Sequence, residues 1–212
     1  MHARLIPPHV PLAAEGVRLE PFTPAHLPGL LSAAHDPALW RWWPRDMGGP
    51  EARARTFDWL LAEQGAGRWR AWCVLDCEGA VLGQSCYLSL RPEHRGLEIG
   101  GTWYVRAAQG GVVNPVAKRL LLGHAFAHGI ERVEIKTDAL NAHSRRAIEK
   151  LGAPLEGVFR RHMQMPDGRW RDTAWYSVLA AEWPAMEAGL AARIDALRRD
   201  PAGSGPDAPA RS

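Results

Sequence analysis

Between Val17 and Arg198 the chain switches repeatedly between two-residue and helical hydrophobic spacing, and this alternation limits the fold more than any other feature. Val17–Phe22 alternates and predicts a strand. Thr23 followed by Pro24 predicts a capped helix to about Ala34, with Leu27, Leu30 and Leu31 on one face. A tryptophan-rich loop then leads to a helix over Pro50–Glu63. Trp69–Asp76 and Val81–Leu90 predict a hairpin turning at Glu78–Gly79. A strand over Glu98–Val105 follows, then a helix over Pro115–His128 and a strand over Arg132–Thr137. The helix Ala142–Leu151 stops at Gly152. Leu155–Met163 and Thr173–Leu179 flank a turn at Pro166–Gly168, and a last helix spans about Ala181–Arg198. The order β α α β β β α β α β β α specifies an α+β domain, a mixed sheet with helices on both faces.

At 212 residues the chain suits one domain with appendages. Residues 1–15 read as an arm with an extended piece at Val10–Leu12, residues 16–198 as the domain, and the Pro-, Gly- and Ala-rich residues 199–212 as a disordered tail. Charge is mild: 26 basic against 23 acidic side chains leave +3. That is too mild to argue for nucleic acid by itself and suits an anionic small ligand equally well. Cys73, Cys77 and Cys86 are odd in number, which points to free thiols and a reducing compartment. Cys73 and Cys77 would share a strand face, but with only His94 to join them a metal site is the lesser reading. The prolines near the start exclude a secretory h-region, and no apolar run reaches the roughly 20 residues of a membrane span. A cytoplasmic protein without a membrane partner is expected.

Leu97–Gly152 carries the chemistry. The adjacent Gly100 and Gly101 inside a strand predict a bulge or a close backbone approach. The loop Gln109-Gly110-Gly111-Val112-Val113 then runs to Asn114, read as the cap of a helix with Pro115 at its first position. A glycine-containing loop entering a helix N-terminus can hold an anion, with Lys118 one turn in as a further charge. A tight turn without a ligand is the equal alternative. Asn141 is placed to cap the next helix, and Ser144 follows one turn in.

Taken together, these elements resemble the GNAT superfamily of acyl-CoA-dependent N-acetyltransferases, in its RimJ/RimL-like branch. The resemblance runs from about Val10 to Leu197. It rests on Arg18-Leu19-Glu20-Pro21, Glu98-Ile99-Gly100, the loop Gln109–Asn114, Asn141-x-x-Ser144 with Lys150-Leu151-Gly152, and Arg161-His162-Met163 with Asp167-Gly168 and Arg171-Asp172. It implies a mostly antiparallel seven-stranded sheet splayed between its fourth and fifth strands, with the pantetheine arm of acetyl-CoA in the gap.

The resemblance assigns cofactor contacts to Trp103, Val105, Gln109, Gly110, Gly111, Val112, Val113, Asn114, Lys118, Asn141 and Arg145. A backbone N–H near Val105 would be the oxyanion donor. Glu98 would be the general base and Ser144 the donor to the leaving sulfur. Trp40, Trp42 and Trp43 would wall the site of a primary-amine acceptor, in a monomer or homodimer. No metal is implied. An α-amino group titrates near ~7.7–8.0 and needs only a modest base, whereas a lysine amine near ~10.4 is almost wholly charged at neutral pH.

One position departs from the pattern: Val112 stands where the family has glycine, with Gly110 and Gly111 as neighbours able to take the tight turn. This motivates a second reading, a CoA-binding or sensor module with little or no catalysis. Within the acyl-transfer reading the donor could be succinyl-CoA, with arginines reading its carboxylate; Arg160, Arg161, Arg169 and Arg171 could otherwise contact an acidic substrate, an acidic protein tail or a neighbouring subunit. A third reading, a nucleic-acid-binding protein, rests only on a pI of about 9.0 and is the weakest. Bland readings stand beside these. Glu98 would be a solvated strand-end carboxylate, Ser144 an ordinary first-turn serine, and the loop tryptophans core. His124 and His128 would be solvated helix histidines and the hairpin arginines a solvated basic surface.

Overall fold

The computed structural model describes residues 6–200. In chain order the elements are β1 (Leu12–Ala14), β2 (Val17–Pro21), α1 (Leu27–Ala33), α2 (Pro50–Gly65), β3 (Arg70–Leu75), β4 (Val81–Arg91), β5 (Gly96–Tyr104), α3 (Val113–Ala127), β6 (Arg132–Asp138), α4 (Ala142–Glu149), β7 (Leu155–Gln164), β8 (Trp170–Leu179) and α5 (Trp183–Arg199). The strands form one sheet in the order β1-β2-β3-β4-β5-β6-β8-β7. Neighbours are antiparallel except β5 and β6, which run parallel.

The sheet has eight strands where seven were expected, because the N-terminal arm adds β1 to β2. The arm's extended piece is Leu12–Ala14 rather than Val10–Leu12; the Val10 carbonyl instead accepts from the Trp72 indole N–H at 2.9 Å. At the other end α5 continues through Arg199, and residues 201–212 of the expected tail lie outside the described residues. Cys77 falls beyond the end of β3, so it does not share a strand face with Cys73. Among the described residues no helix is long and apolar enough to cross a membrane.

Two cores follow from period-two alternation. On one face Leu97, Ile99, Val133, Ile135, Tyr176 and Val178 pack under α3, α4 and α5 through Val116, Leu121, Ile148, Leu190 and Ile194. Leu121 is fully buried there, and its truncation to Ala is expected to cost about 3 kcal/mol. On the other face Phe22, Cys73 and Cys86 pack under α1 and α2 through Leu30, Phe57 and Leu60. This second core ends at β5. The same face of β6 carries Arg132, Glu134 and Lys136 instead, with Trp175 of β8 under the Lys136 ammonium at 3.9 Å. Where β5 meets β6 the sheet thus has helices on one face and a polar strip on the other.

Candidate active site

β5 and β6 pair only at Gly96↔Arg132, Leu97↔Val133 and Glu98↔Glu134. Beyond these residues β5 stays with β4 and β6 stays with β8, so the two part. The gap opens into a cleft of about 1410 Å³ lined by both strands and by the N-termini of α3 and α4. On β5 the register slips between Cys86↔Gly100 and Gln84↔Trp103, which makes the bulge expected at the paired glycines. Gly101 there has φ +55, a backbone that glycine adopts without strain. The buried Gln84 amide donates to its carbonyl at 3.2 Å.

At the α3 end the turn is taken by Gly110, at φ +79. Gln109 folds back, its amide donating to the Tyr104 carbonyl at 2.9 Å. The helix starts two residues earlier than expected, at Val113. Val112 is its cap residue, with no capping side chain, and Asn114 lies inside the first turn. Gly110, Gly111 and Asn114 line the cleft. The Val112 and Val113 side chains are partly buried and pack against the core. Val112 has an ordinary right-handed backbone, φ −75 and ψ −21; the position needs no glycine, and its side chain crowds nothing in the cleft.

Lys118 lines the cleft but is only 5% exposed, so it is not the open cation expected beside the loop. Its ammonium donates to Thr102 Oγ1 at 2.9 Å, and Ser85 Oγ lies 2.7 Å from the same oxygen. Burial pulls the Lys118 ammonium down to about 7, a shift the nearby Cys86 partly opposes. The Cys86 thiol is itself pushed up to about 12 by burial.

At the α4 end Asn141 Oδ1 accepts the Ser144 amide at 3.0 Å, the cap that the sequence predicts. Ser144 lines the cleft, and its hydroxyl has no hydrogen-bond partner among the described residues. Arg145 points elsewhere, donating to Tyr176 Oη at 3.1 Å, and Arg146 takes its place in the lining. The Val105 amide donates to the Leu82 carbonyl at 2.8 Å. Val105's own amide is thus engaged within the sheet edge, and an oxyanion donor near it would be a neighbouring backbone N–H.

Glu98 is 6% exposed and sits at the root of the gap. Its Oε2 accepts from Lys136 at 2.5 Å and from Ser89 at 3.1 Å. A Cβ added to Gly100 would lie 3.0 Å from Glu98 Oε1, so the glycine leaves room for the carboxylate. Glu98 is therefore no solvated strand end.

On the open side Trp42 and Trp43 line the cleft, while Trp40 is core. The Trp40 indole N–H finds the Ala34 carbonyl at 3.0 Å, and its ring packs on Trp103 with centroids 5.1 Å apart. Trp42 lies between Arg41 and Arg169, at 4.9 and 5.7 Å. Arg169 also reaches Asp138 Oδ2 at 2.5 Å, which ties the β7–β8 turn to the end of β6. Lys136, Asp138, His162 and Thr173 also line the cleft and were missed. Arg171, read as part of a solvated hairpin surface, is buried there.

The residues present fit an acyl-CoA. The α3 N-terminus has no capping side chain, and the glycines before it face the cleft. Three buried polar atoms of the lining, Gln84 Oε1, Trp43 Nε1 and Trp103 Nε1, have no hydrogen-bond partner among the described residues. Among the described residues no group of three His, Cys, Asp or Glu is placed to hold a metal.

The family model of the acetyltransferase (GNAT) domain matches residues 17–154. Among solved structures, a T. thermophilus protein assigned to the acetyltransferases is similar at 40% identity, over 87% of this chain and 97% of that one, with a TM-score of 0.79. A GCN5-related N-acetyltransferase from Brucella melitensis is similar at 29% identity, over 89% and 86%, with a TM-score of 0.80. Mycobacterium smegmatis RimJ in complex with CoA-disulfide shares the fold at 24% identity, over 86% and 92%, with a TM-score of 0.72. No curated protein matches the sequence. The parted strands, the two helix N-termini and the match to the domain model agree: the chain belongs to the GNAT acetyltransferase family.

Proposed function

We propose that the protein transfers an acetyl group from acetyl-CoA to a primary amine by direct attack on the thioester. The observation that carries this reading is the parting of β5 from β6 after Glu98, beside two helix N-termini. Acetyl-CoA supplies the activated acyl group. Gly110, Gly111, Asn114 and the α3 N-terminus would hold its pyrophosphate, and the β5 backbone around Trp103 would align its arm. Lys118 would add a charge that is partial near neutral pH.

The acceptor approaches from the side of Trp42 and Trp43. Glu98 takes the amine proton directly or through water, with Lys136 and Ser89 fixing its orientation. A protein N-terminal α-amine, or a small-molecule amine of similar basicity, suits such a base. Ser144 has a free hydroxyl to donate to the departing sulfur, and Asn141 holds that helix end in place. The free thiols, with Cys73 and Cys86 buried, support a reducing, cytoplasmic setting.

The sensor reading rested on Val112. Val112 is partly buried against the core and takes an ordinary helical backbone, which weakens that motive. Two measurements test the catalytic reading. CoA and acetyl-CoA are expected to raise the melting temperature, and a panel of primary amines is expected to include one that releases thiol from acetyl-CoA. Binding without release in any amine would return the sensor reading to first place.

A further inference from the structure

Arg171 lies on β8 opposite Met163 of β7 and lines the cleft while only 7% exposed. Its Nε donates to Thr173 Oγ1 at 3.1 Å. Among the described residues its terminal nitrogens have no hydrogen-bond or carboxylate partner. The nearby acids are already committed: Glu98 is held by Lys136 and Asp138 by Arg169, each at 2.5 Å. His162 Nδ1 lies 3.0 Å from Thr173 Oγ1, the oxygen that also accepts from Arg171. Burial, then the Lys136 and Arg171 cations, lowers the His162 pKa.

Two ion pairs cancel, and the Arg171 cation is left over. Burial lowers the pKa of its guanidinium, with Asp138 and Glu98 acting against the shift from a distance. A buried charge without a counterion is costly, and proteins that keep one generally pair it.

The register says which ligand lies on that side. Thr173 pairs with Asp138 and Trp175 with Lys136, so Arg171, Thr173 and Trp175 share a face with Lys136. Glu98, bonded to Lys136, is on that face too. Ala174, Tyr176 and Val178 point the other way, into the core under α3 and α4. Arg171 is thus across the sheet from the helices whose N-termini would hold CoA.

The geometry points to Arg171 as the reader of a carboxylate on the acceptor, so that the acceptor is an amine bearing an anionic group. This rests on the acyl-transfer reading above. The acceptor carboxylate takes both terminal nitrogens of Arg171 as a bidentate pair, and Thr173 sets the plane of the guanidinium. The acceptor amine is thereby presented to Glu98 on the same face.

The test measures binding of matched acceptors to the CoA-saturated protein by calorimetry. One pair is an amino acid and its carboxamide. The other is a short peptide with Glu at its second position and the same peptide with Gln. At least one carboxylate member is expected to bind tenfold or more tightly than its neutral partner. Arg171→Met is expected to erase that difference and Arg171→Lys to keep part of it. Equal affinities in both pairs, absence of binding in both, or a preference that survives Arg171→Met overturns the proposal. The wild-type comparison stands even where a variant does not fold. Thiol release with the same pairs separates the two readings: a carboxylate preference in binding without any release counts against acyl transfer and leaves Arg171's role in place.

Discussion

Lys136 Nζ lies 2.5 Å from Glu98 Oε2, and the pair bridges β5 and β6 at the place where those strands separate. The two strands lose their backbone hydrogen bonds beyond Glu98 and Glu134, and this ion pair closes the root of the gap. The pair is largely buried, with 16% and 8% of the two side chains exposed. Its removal from one side leaves a buried charge without a partner.

Lys136→Met is therefore expected to destabilise the protein by about 3 kcal/mol in denaturant unfolding. Glu98→Gln keeps the shape and removes the base. It is expected to lower kcat roughly 100-fold while changing the KM for acetyl-CoA little. A variant with unchanged kcat would remove Glu98 from the reaction.

Lys118 gives a pH test with a defined sign. Its pKa is about 7 in the folded protein against an ordinary 10.5. Below pH 7 both states carry the proton, and the full cost of the buried cation is present. Between those two values the folded state has lost its proton and the unfolded state has not, so stability rises with pH. Lys118→Met is expected to be more stable than wild type at pH 6, by a margin on the order of a few kcal/mol. The margin should shrink as pH rises towards 10. The same variant is expected to bind CoA more weakly, because the cation near the α3 N-terminus is gone.

The two ends of the Asn141–Ser144 cap separate structure from chemistry. Asn141→Ala removes the acceptor of the Ser144 amide and is expected to cost about 1 kcal/mol. Ser144→Ala keeps that backbone bond, so its melting temperature is expected to stay near wild type while kcat falls. Equal kcat in Ser144→Ala and wild type would leave the hydroxyl without a part in the reaction.

His124 predicts acid sensitivity. Burial, then His128 and His9, lowers its pKa to about 4, and its ring stacks on Tyr87. Its folded pKa lies below the ordinary 6.5. The stability it confers is complete above 6.5 and is lost as pH falls from there towards 4. Urea unfolding at pH 7, 5.5 and 4.5 should show that loss, and His124→Phe should flatten it.

What the sequence made legible was local. The bulge at Gly100–Gly101 and the cap at Asn141 depend on residues within one turn of each other, and both stand where expected. The start of α3 slipped because Asn114 looks like a cap, while the tight turn was already taken by Gly110. Arg145 and Arg146 are adjacent, and which one faces the cleft depends on Tyr176, 31 residues away. Trp40 left the acceptor wall because its N–H finds a carbonyl in the second core, a tertiary contact with no sequence signal. Glu134, Lys136 and Asp138 alternate with Val133 and Ile135, the pattern of an ordinary solvated strand face. Only the β8 register turns that face into a cleft wall and brings Arg171 to it.

The most direct test of direct acyl transfer in this cleft is rapid-quench mass spectrometry of the acetyl-CoA-saturated protein mixed with a reactive amine. The account predicts acetylated amine and free CoA thiol in equal amounts, with the protein mass unchanged at every time point. An acetylated protein that forms and decays at the rate of turnover, or an absence of amine-dependent thiol release from bound acetyl-CoA, would contradict it.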